Sequence, residues 1–222
     1  MIIVTGAGRC GSSLMMQTLN LLGVSLIGNP ESKVKEHCLW GGYHKGESVD
    51  IYVTEEQDKI ARALNPKGYW ELDVYTIIDI TVGKYEGNLD GAVKMMGVLP
   101  LELGNTVVDK VIFCKRKDDF TQAESMFKLA QIDIEISDDN NLENSFADQY
   151  KGMDVYDMHH QMLLANVMTD SWLTRENINH HSVYFEDMLE NPKETIQNIT
   201  KFLEIDTDIT KAISNVDKRK KG

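Results

Sequence analysis

The chain contains few cysteines, prolines and tryptophans, and it has no long apolar run. Three of its 222 residues are cysteine, four are proline and three are tryptophan. An odd, sparse set of cysteines without metal-ligand spacing argues against a disulfide framework and predicts reduced thiols and no metal site. No stretch reaches the roughly 18 apolar residues of a membrane span, and the apolar start lacks the basic region of a signal peptide. We therefore expect a soluble, cytoplasmic protein.

Basic residues are in short supply relative to acids. The chain has 23 Lys and Arg residues against 35 Asp and Glu residues, which gives a formal net charge of −12. A nucleic-acid-binding protein needs a basic face that releases counterions, so this balance argues against that class. An anionic ligand would need a local group of cations instead. The candidates are Arg9, Lys94 and the run Lys115-Arg116-Lys117.

What the chain does have is a glycine-punctuated turn near its start. Residues 2–16 have the pattern of a buried strand, a turn with three glycines and a helix that begins with two hydroxyls. Glycines adopt positive φ and let backbone N–H groups approach a phosphate closely, and a helix beginning near Ser12 directs the positive end of its dipole at the same point. The segment therefore predicts a phosphate-binding loop. Its members are Gly8, Arg9, Cys10, Gly11, Ser12 and Ser13.

The spacing of this loop leaves more than one function open. Gly6 and Gly11 are spaced as the outer glycines of the nucleotide-binding motif G-x-x-x-x-G-K-[ST] are, but Ser12 occupies the position of its lysine. One alternative is a nucleotide or small-molecule kinase of the P-loop class that uses ATP and magnesium. A second is a non-catalytic protein that binds a phosphonucleotide.

The pattern of strands and helices predicts the fold class. Four apolar runs predict strands: one that begins at Ile2 and those at 91–96, 107–114 and 182–185. Four amphipathic segments predict helices, at 12–22, at 155–173, after Asp118 and after Asn191. Strands that alternate with helices favour an α/β fold with a parallel sheet covered on both faces. We expect one domain over residues 1–222, with a short strand at 24–27, a loop excursion at about 28–53 and an acidic loop at about 132–148.

The loop resembles the 5′-phosphosulfate loop of the sulfotransferase family. The run Gly-Arg-Cys-Gly-Ser-Ser matches that motif except that Cys10 replaces the usual serine. Further segments follow in the family's order, at 92–100, 110–125 and 183–203, and residues 65–71 resemble a small bacterial and phage-like branch. The resemblance implies a three-layer, P-loop NTPase-like fold. It also implies metal-free transfer of a sulfuryl group from 3′-phosphoadenosine 5′-phosphosulfate (PAPS) to the hydroxyl or amine of a small-molecule or glycan acceptor.

The resemblance also implies roles for individual residues around the loop. Arg9, with the hydroxyls and amides of the loop, would hold the 5′-phosphate and sulfonate, and Lys94 would donate to the bridging oxygen that leaves. Arg116 and Ser125 would hold the 3′-phosphate. The family's usual spacing is eight residues and here it is nine, so Lys117 is the alternative to Arg116.

The general base is the least defined role. Many family members place a histidine two residues after the strand lysine, but this chain has Met96 there. Methionine cannot accept a proton, so another residue must do so. Glu71, which follows two aromatic residues, is the first candidate because aromatic surroundings raise a carboxyl pKa. His37 and His44 are the next candidates.

Overall fold

The structure of the protein is a computed structural model that describes residues 1–27, 79–80, 82–87, 89–96, 108–139 and 150–220. Its strands are β1 (Ile2–Thr5), β2 (Ala92–Lys94), β3 (Lys110–Lys115) and β4 (His180–Tyr184). Its helices are α1 (Ser12–Leu21), α2 (Asp119–Asp139), α3 (Val155–Arg175), α4 (Phe185–Glu190), α5 (Pro192–Leu203) and α6 (Thr210–Lys220).

The four strands form one parallel sheet in the order β2-β1-β3-β4. Ile2 pairs with Ala92 on one side and with Lys110 on the other, and Val111 pairs with His180. The sheet grows outward from β1 in both directions, because β2 is added on one side of β1 and β3 on the other. In open parallel sheets a ligand site forms at such a point, at the carboxyl ends of the strands. The predicted α/β fold with a parallel sheet is confirmed.

Helices cover both faces of the sheet because alternate strand residues point to opposite sides. Val4 and Ile112 join the core cluster that contains buried residues of α1, α4, α5 and α6. Ile3 and Phe113 join a second cluster on the other face, with Trp172 of α3. A third cluster packs α2 against α3. Among the described residues, no helix has the length and apolar character needed to cross a membrane.

The helix boundaries follow the local signals of the sequence. Helix α1 is followed by Gly23, whose φ of 85° ends it as predicted. Asp118 Oδ1 accepts hydrogen bonds from the backbone N–H groups of Phe120 at 3.0 Å and Thr121 at 3.1 Å, so the predicted N-cap of α2 is confirmed. Pro192 occupies the first turn of α5, also as predicted.

Two irregular segments differ from the prediction. The acidic loop expected at about 132–148 is wrong for its first part, because α2 continues to Asp139. Residues 131–139 contain no glycine or proline, and extending an existing helix costs far less than starting one. The expected strand at 24–27 is reduced to a single bridge between Leu26 and Ala92. The excursion at 28–53 lies outside the described residues.

Candidate active site

The turn between β1 and α1 has a conformation that requires glycine at two positions. Gly11 has φ of 91°, and a Cβ atom there would lie 2.5 Å from Cδ2 of Phe185. A Cβ atom on Gly6 would lie 2.3 Å from the carbonyl oxygen of Cys114. Between them Arg9 has φ of 64°, in the left-handed region. The backbone of the turn is therefore packed against β3 and the start of α4.

Helix α2 holds the turn from the other side. Gln122 is fully buried, and its Nε2 donates to the carbonyl oxygens of Ala7 at 3.3 Å and Gly8 at 2.7 Å. Gly8 also packs against Met126, since an added Cβ would lie 2.9 Å from its Sδ atom. Sequence reasoning missed Gln122. The available signal was a primary amide on the inward face of a predicted helix that follows the strand next to β1.

The first turn of α1 is open to an anion. Its N-cap residue is Gly11, which provides no side-chain hydrogen bond, and the first turn carries no acidic side chain. The N–H groups at a helix start and the positive end of the dipole are normally balanced by such groups. Ser12 is buried and its hydroxyl donates to Sδ of Met96 at 3.3 Å. The helix start is therefore suited to an external negative charge.

Two cations lie near this helix start, one from β2 and one from the turn itself. Lys94, at the end of β2, donates from Nζ to Oγ of Ser13 at 3.0 Å, and only 3% of Lys94 is exposed. Arg9 donates from Nε to Oγ of Ser125 on α2 at 3.1 Å. Burying an ammonium group is costly unless negative charge and hydrogen bonds compensate it. The placement of Lys94 thus indicates an electrostatic role at this edge of the sheet.

Arg116 and Ser125, the two residues expected to hold a 3′-phosphate, both lie beside the turn, and Ser125 accepts a hydrogen bond from Arg9. Arg116 follows β3 and lies within the same edge, where its Nη1 approaches the carbonyl oxygen of Arg9 at 3.5 Å. Its Nε donates to Oε1 of Glu186 at 2.5 Å. Lys117 forms an exposed ion pair with Asp187 and makes no contact with the turn in any described interaction. Because Arg116 contacts the turn and Lys117 has no described contact with it, the geometry favours Arg116 over Lys117 as the candidate contact of the 3′-phosphate.

Cys10 lies beneath the turn, beside Cys114 of β3. Both thiols are free and buried. The thiol of Cys114 donates to the sulfur of Cys10 and lowers the pKa of Cys10 to about 7, and the amide and hydroxyl of Ser12 add to this effect against the opposing effect of burial. The pKa of Cys114 is raised well above its ordinary value by the same hydrogen bond and by burial. The two buried thiols thus have pKa values that move in opposite directions, with that of Cys10 below the ordinary thiol range.

Several functional candidates fall where no structure is described. Glu71, His37 and His44, the three candidates for general base, lie outside the described residues. Sequence reasoning also missed Phe185 and Glu186 as contacts of the site. The signal that identifies them is topological, since Tyr184 pairs with Lys115 and the residues that follow these two strands must meet.

The described residues fit a ligand with two separated anionic groups. One candidate position is the start of α1, next to Arg9 and Lys94, and the other is the guanidinium group of Arg116 where it meets the turn. Gln17, one helical turn beyond Ser13, is buried with no hydrogen-bond partner for its amide in the described part of the chain. Buried polar groups of this kind ordinarily meet water or a ligand. The described part of the chain contains no group of three or more His, Cys, Asp or Glu residues that could hold a metal ion.

One comparison with known protein families gives a match. The sequence model of the Stf0 sulphotransferase family matches residues 1–222, which is the whole chain. No curated protein gives a significant match.

Proposed function

The chain belongs to the Stf0 sulphotransferase family and is a sulfotransferase, and on this premise we propose that it transfers a sulfuryl group from PAPS to a hydroxyl or amine of a small molecule or glycan. When bound, PAPS supplies a sulfuryl group whose S–O bond to the 5′-phosphate breaks as a bond to the acceptor forms. The products are the sulfated acceptor and 3′-phosphoadenosine 5′-phosphate (PAP).

The observation that carries the proposal is that the start of α1, which has no side-chain cap, has one cation in the turn before it and another bonded to its first turn. Arg9 lies in the turn itself, and Lys94 bonds Ser13 in the first turn of the helix. Fixed donors aimed at a position where negative charge accumulates are the main way in which enzymes lower the barrier of group transfer. In this arrangement they bind the 5′-phosphate and sulfonate of the donor.

Lys94 is the candidate catalytic residue for bond cleavage. Its ammonium group is buried at the end of β2, next to the hydroxyl of Ser13. Charge accumulates on the bridging oxygen as the S–O bond breaks, and an ammonium group with a fixed position neutralises it without rearranging solvent. Ser13 orients Lys94 and contributes a hydroxyl to the sulfonate.

The 3′-phosphate belongs on the opposite side of the turn, with Arg116 and Ser125. A guanidinium group gives paired hydrogen bonds to phosphate, and the hydroxyl of Ser125 lies close to the turn through its bond to Arg9. Arg9 therefore lies between the two phosphate positions. Glu71 remains the first candidate for the base that takes the acceptor proton, with His37 and His44 as alternatives.

Calorimetry with PAP, adenosine 5′-monophosphate (AMP) and ATP with magnesium tests the donor assignment. We expect PAP to bind without a divalent ion and more tightly than either other nucleotide. ATP binding that requires magnesium, with no binding of PAP, would favour the P-loop kinase alternative and overturn the proposal.

Acceptor screening then tests the transfer. Labelled PAPS is incubated with sugars, lipids, phenols and peptides, and the labelled products are separated and counted. We expect label to move to one class of acceptor. Tight PAPS binding with no consumption in any pool, even by water over long incubation, would favour the non-catalytic alternative.

A further inference from the structure

The corner where β4 turns into α4 contacts both phosphate positions of the proposed site. This corner consists of Phe185 and Glu186, the first two residues of α4. One oxygen of the Glu186 carboxylate accepts from Nε of Arg116 at 2.5 Å, and the other accepts from the backbone N–H of Lys117 at 2.9 Å. Glu186 thus holds the side chain of one residue and the backbone of the next.

Phe185 joins the same corner to the turn. Its ring lies 4.7 Å from Cζ of Arg116, within the range of a cation–π contact. The ring also packs against Gly11, where an added Cβ would come 2.5 Å from Cδ2. One side chain is therefore in contact with the arginine of the 3′ position and with the turn of the 5′ position.

The charge state of Glu186 suits a permanent partner for Arg116. Burial alone would raise the pKa of Glu186, but the hydrogen bonds from Lys117 and Arg116, together with the charge of Arg116, lower it. The two side chains are 17% and 22% exposed, so the pair is only partly screened by water. Glu186 is ionised, and the guanidinium group is held, throughout the neutral pH range.

The nitrogen atoms of the Arg116 guanidinium group have different partners. A guanidinium group has five N–H donors in a fixed plane. Glu186 takes the Nε donor, while Nη1 faces the turn near the carbonyl oxygen of Arg9. Holding Nε fixes the rotation of the plane, with Nη1 toward the turn, so that the N–H groups of Nη1 and Nη2 beyond the long bond to Arg9 are placed for an anion beside the turn. Fixing a donor in advance reduces the entropy lost when a ligand binds.

We propose that Glu186, supported by Phe185, is the positioning residue that orients Arg116 for the 3′-phosphate and thereby sets the preference of the enzyme for 3′-phosphorylated adenine nucleotides. The inference rests on the proposed function, because it takes Arg116 as the 3′-phosphate contact. It adds a residue that acts through Arg116 and does not touch the nucleotide.

The test compares PAP with AMP, which differ only in the 3′-phosphate. Calorimetry gives both affinities for the wild-type protein, Glu186→Ala, Glu186→Gln and the control Glu190→Ala, an exposed acid on the same short helix. We expect Glu186→Ala to lower PAP affinity about tenfold while AMP affinity stays near the wild-type value, because a guanidinium group that is no longer held loses more entropy when it binds the 3′-phosphate. Glu186→Gln should retain part of the preference, and Glu190→Ala all of it.

Three outcomes would overturn the inference. Equal losses for PAP and AMP in Glu186→Ala would assign a structural role only. A gain in PAP affinity would mean that the carboxylate competes with the phosphate. An additive loss in the double variant Arg116→Ala, Glu186→Ala would mean that Glu186 does not act through Arg116.

The single variant Arg116→Ala separates this inference from the proposed function. If its PAP preference is unchanged, the 3′-phosphate is not held by Arg116 and the inference falls, whereas the proposed binding of the donor by the turn stands. If PAP binds to no variant and not to the wild-type protein, the donor assignment itself is wrong.

Discussion

Arg9 and Ser125 are 116 residues apart in the chain, and the Nε of the arginine donates to the hydroxyl of the serine at 3.1 Å. This hydrogen bond connects the turn after β1 to α2, the helix that follows β3. Arg9 is a proposed contact of the 5′-phosphate and Ser125 is a proposed contact of the 3′-phosphate, so the bond brings the two phosphate positions close together. Both are therefore available to one nucleotide.

Replacing Arg9 with alanine should weaken nucleotide binding. Loss of a charged hydrogen-bond donor costs about 1.5–3 kcal/mol, or roughly 10- to 150-fold in affinity. Calorimetry with PAP measures this loss. The matched control is Arg175→Ala, because the Arg175 side chain is 68% exposed and pairs only with its neighbour Glu176 among the described ion pairs. PAP affinity that is unchanged in Arg9→Ala would contradict the assignment of the turn.

Replacing Lys94 with methionine should reduce turnover far more than nucleotide affinity. The substitution keeps most of the side-chain volume in a buried site and removes the charge together with the hydrogen bond to Ser13. Removing one electrostatic stabiliser of a transition state typically costs about 10²–10³ in rate. Single-turnover consumption of labelled PAPS with the acceptor found by screening gives the rate, and calorimetry with PAP gives the affinity.

The control for Lys94→Met is Lys201→Ala, an exposed lysine in the last turn of α5. Thermal unfolding of both variants shows whether the fold is retained. A folded Lys94→Met protein with wild-type turnover would exclude Lys94 from the reaction.

Alanine at Gly11 should destabilise the protein more than alanine at Gly23. Both glycines have φ near 90°, at 91° and 85°, but an added Cβ at Gly11 meets Phe185 while the space around Gly23 is open. The left-handed backbone costs about 1–2 kcal/mol for alanine at each site, and overpacking adds about 1–3 kcal/mol at Gly11 alone. Urea unfolding measures the difference. Equal losses would mean that Phe185 does not pack on the turn.

The Cys10 thiol should titrate near neutral pH and respond to Cys114. Its pKa of about 7 depends first on the hydrogen bond from Cys114, so Cys114→Ala should raise it toward the ordinary thiol range. The thiolate is the charged form, which means that the variant holds less thiolate at neutral pH. Ultraviolet absorbance of the thiolate follows the titration in a Cys38→Ser background, with Cys10→Ser as the blank. An unchanged midpoint in Cys114→Ala would contradict the contact between the two sulfurs.

The sequence was sufficient for the parts of the site that depend on local backbone preferences. The turn after β1 is predictable because glycine and a strand-to-helix change occur within a few residues. The alternation of strands and helices along the chain predicts the parallel sheet. A parallel sheet places Lys94 and Arg116 together, because both lie at the carboxyl ends of their strands. The family match confirms the predicted class of enzyme.

Side-chain pairing between distant segments was not predictable in the same way. Spacing along the chain suggested Arg116 and Ser125 as contacts of one phosphate, but it gave no sign that Ser125 bonds Arg9 or that Arg116 bonds Glu186, which is 70 residues away. Such choices depend on how α2 and α4 pack against the turn, which no local pattern records. The extent of α2 was missed because composition indicates solvent exposure and does not by itself end a helix.

The strand order gives the site two unlike flanks. Because β1 is central, Lys94 stands on the β2 side and Arg116 on the β3 side. In the proposed binding mode the reactive end of the nucleotide lies toward β2 and its 3′-phosphate toward β3. We therefore expect acceptors to approach from the β2 flank, and the segments beside β2, rather than those beside β3 and β4, to determine which acceptor is used.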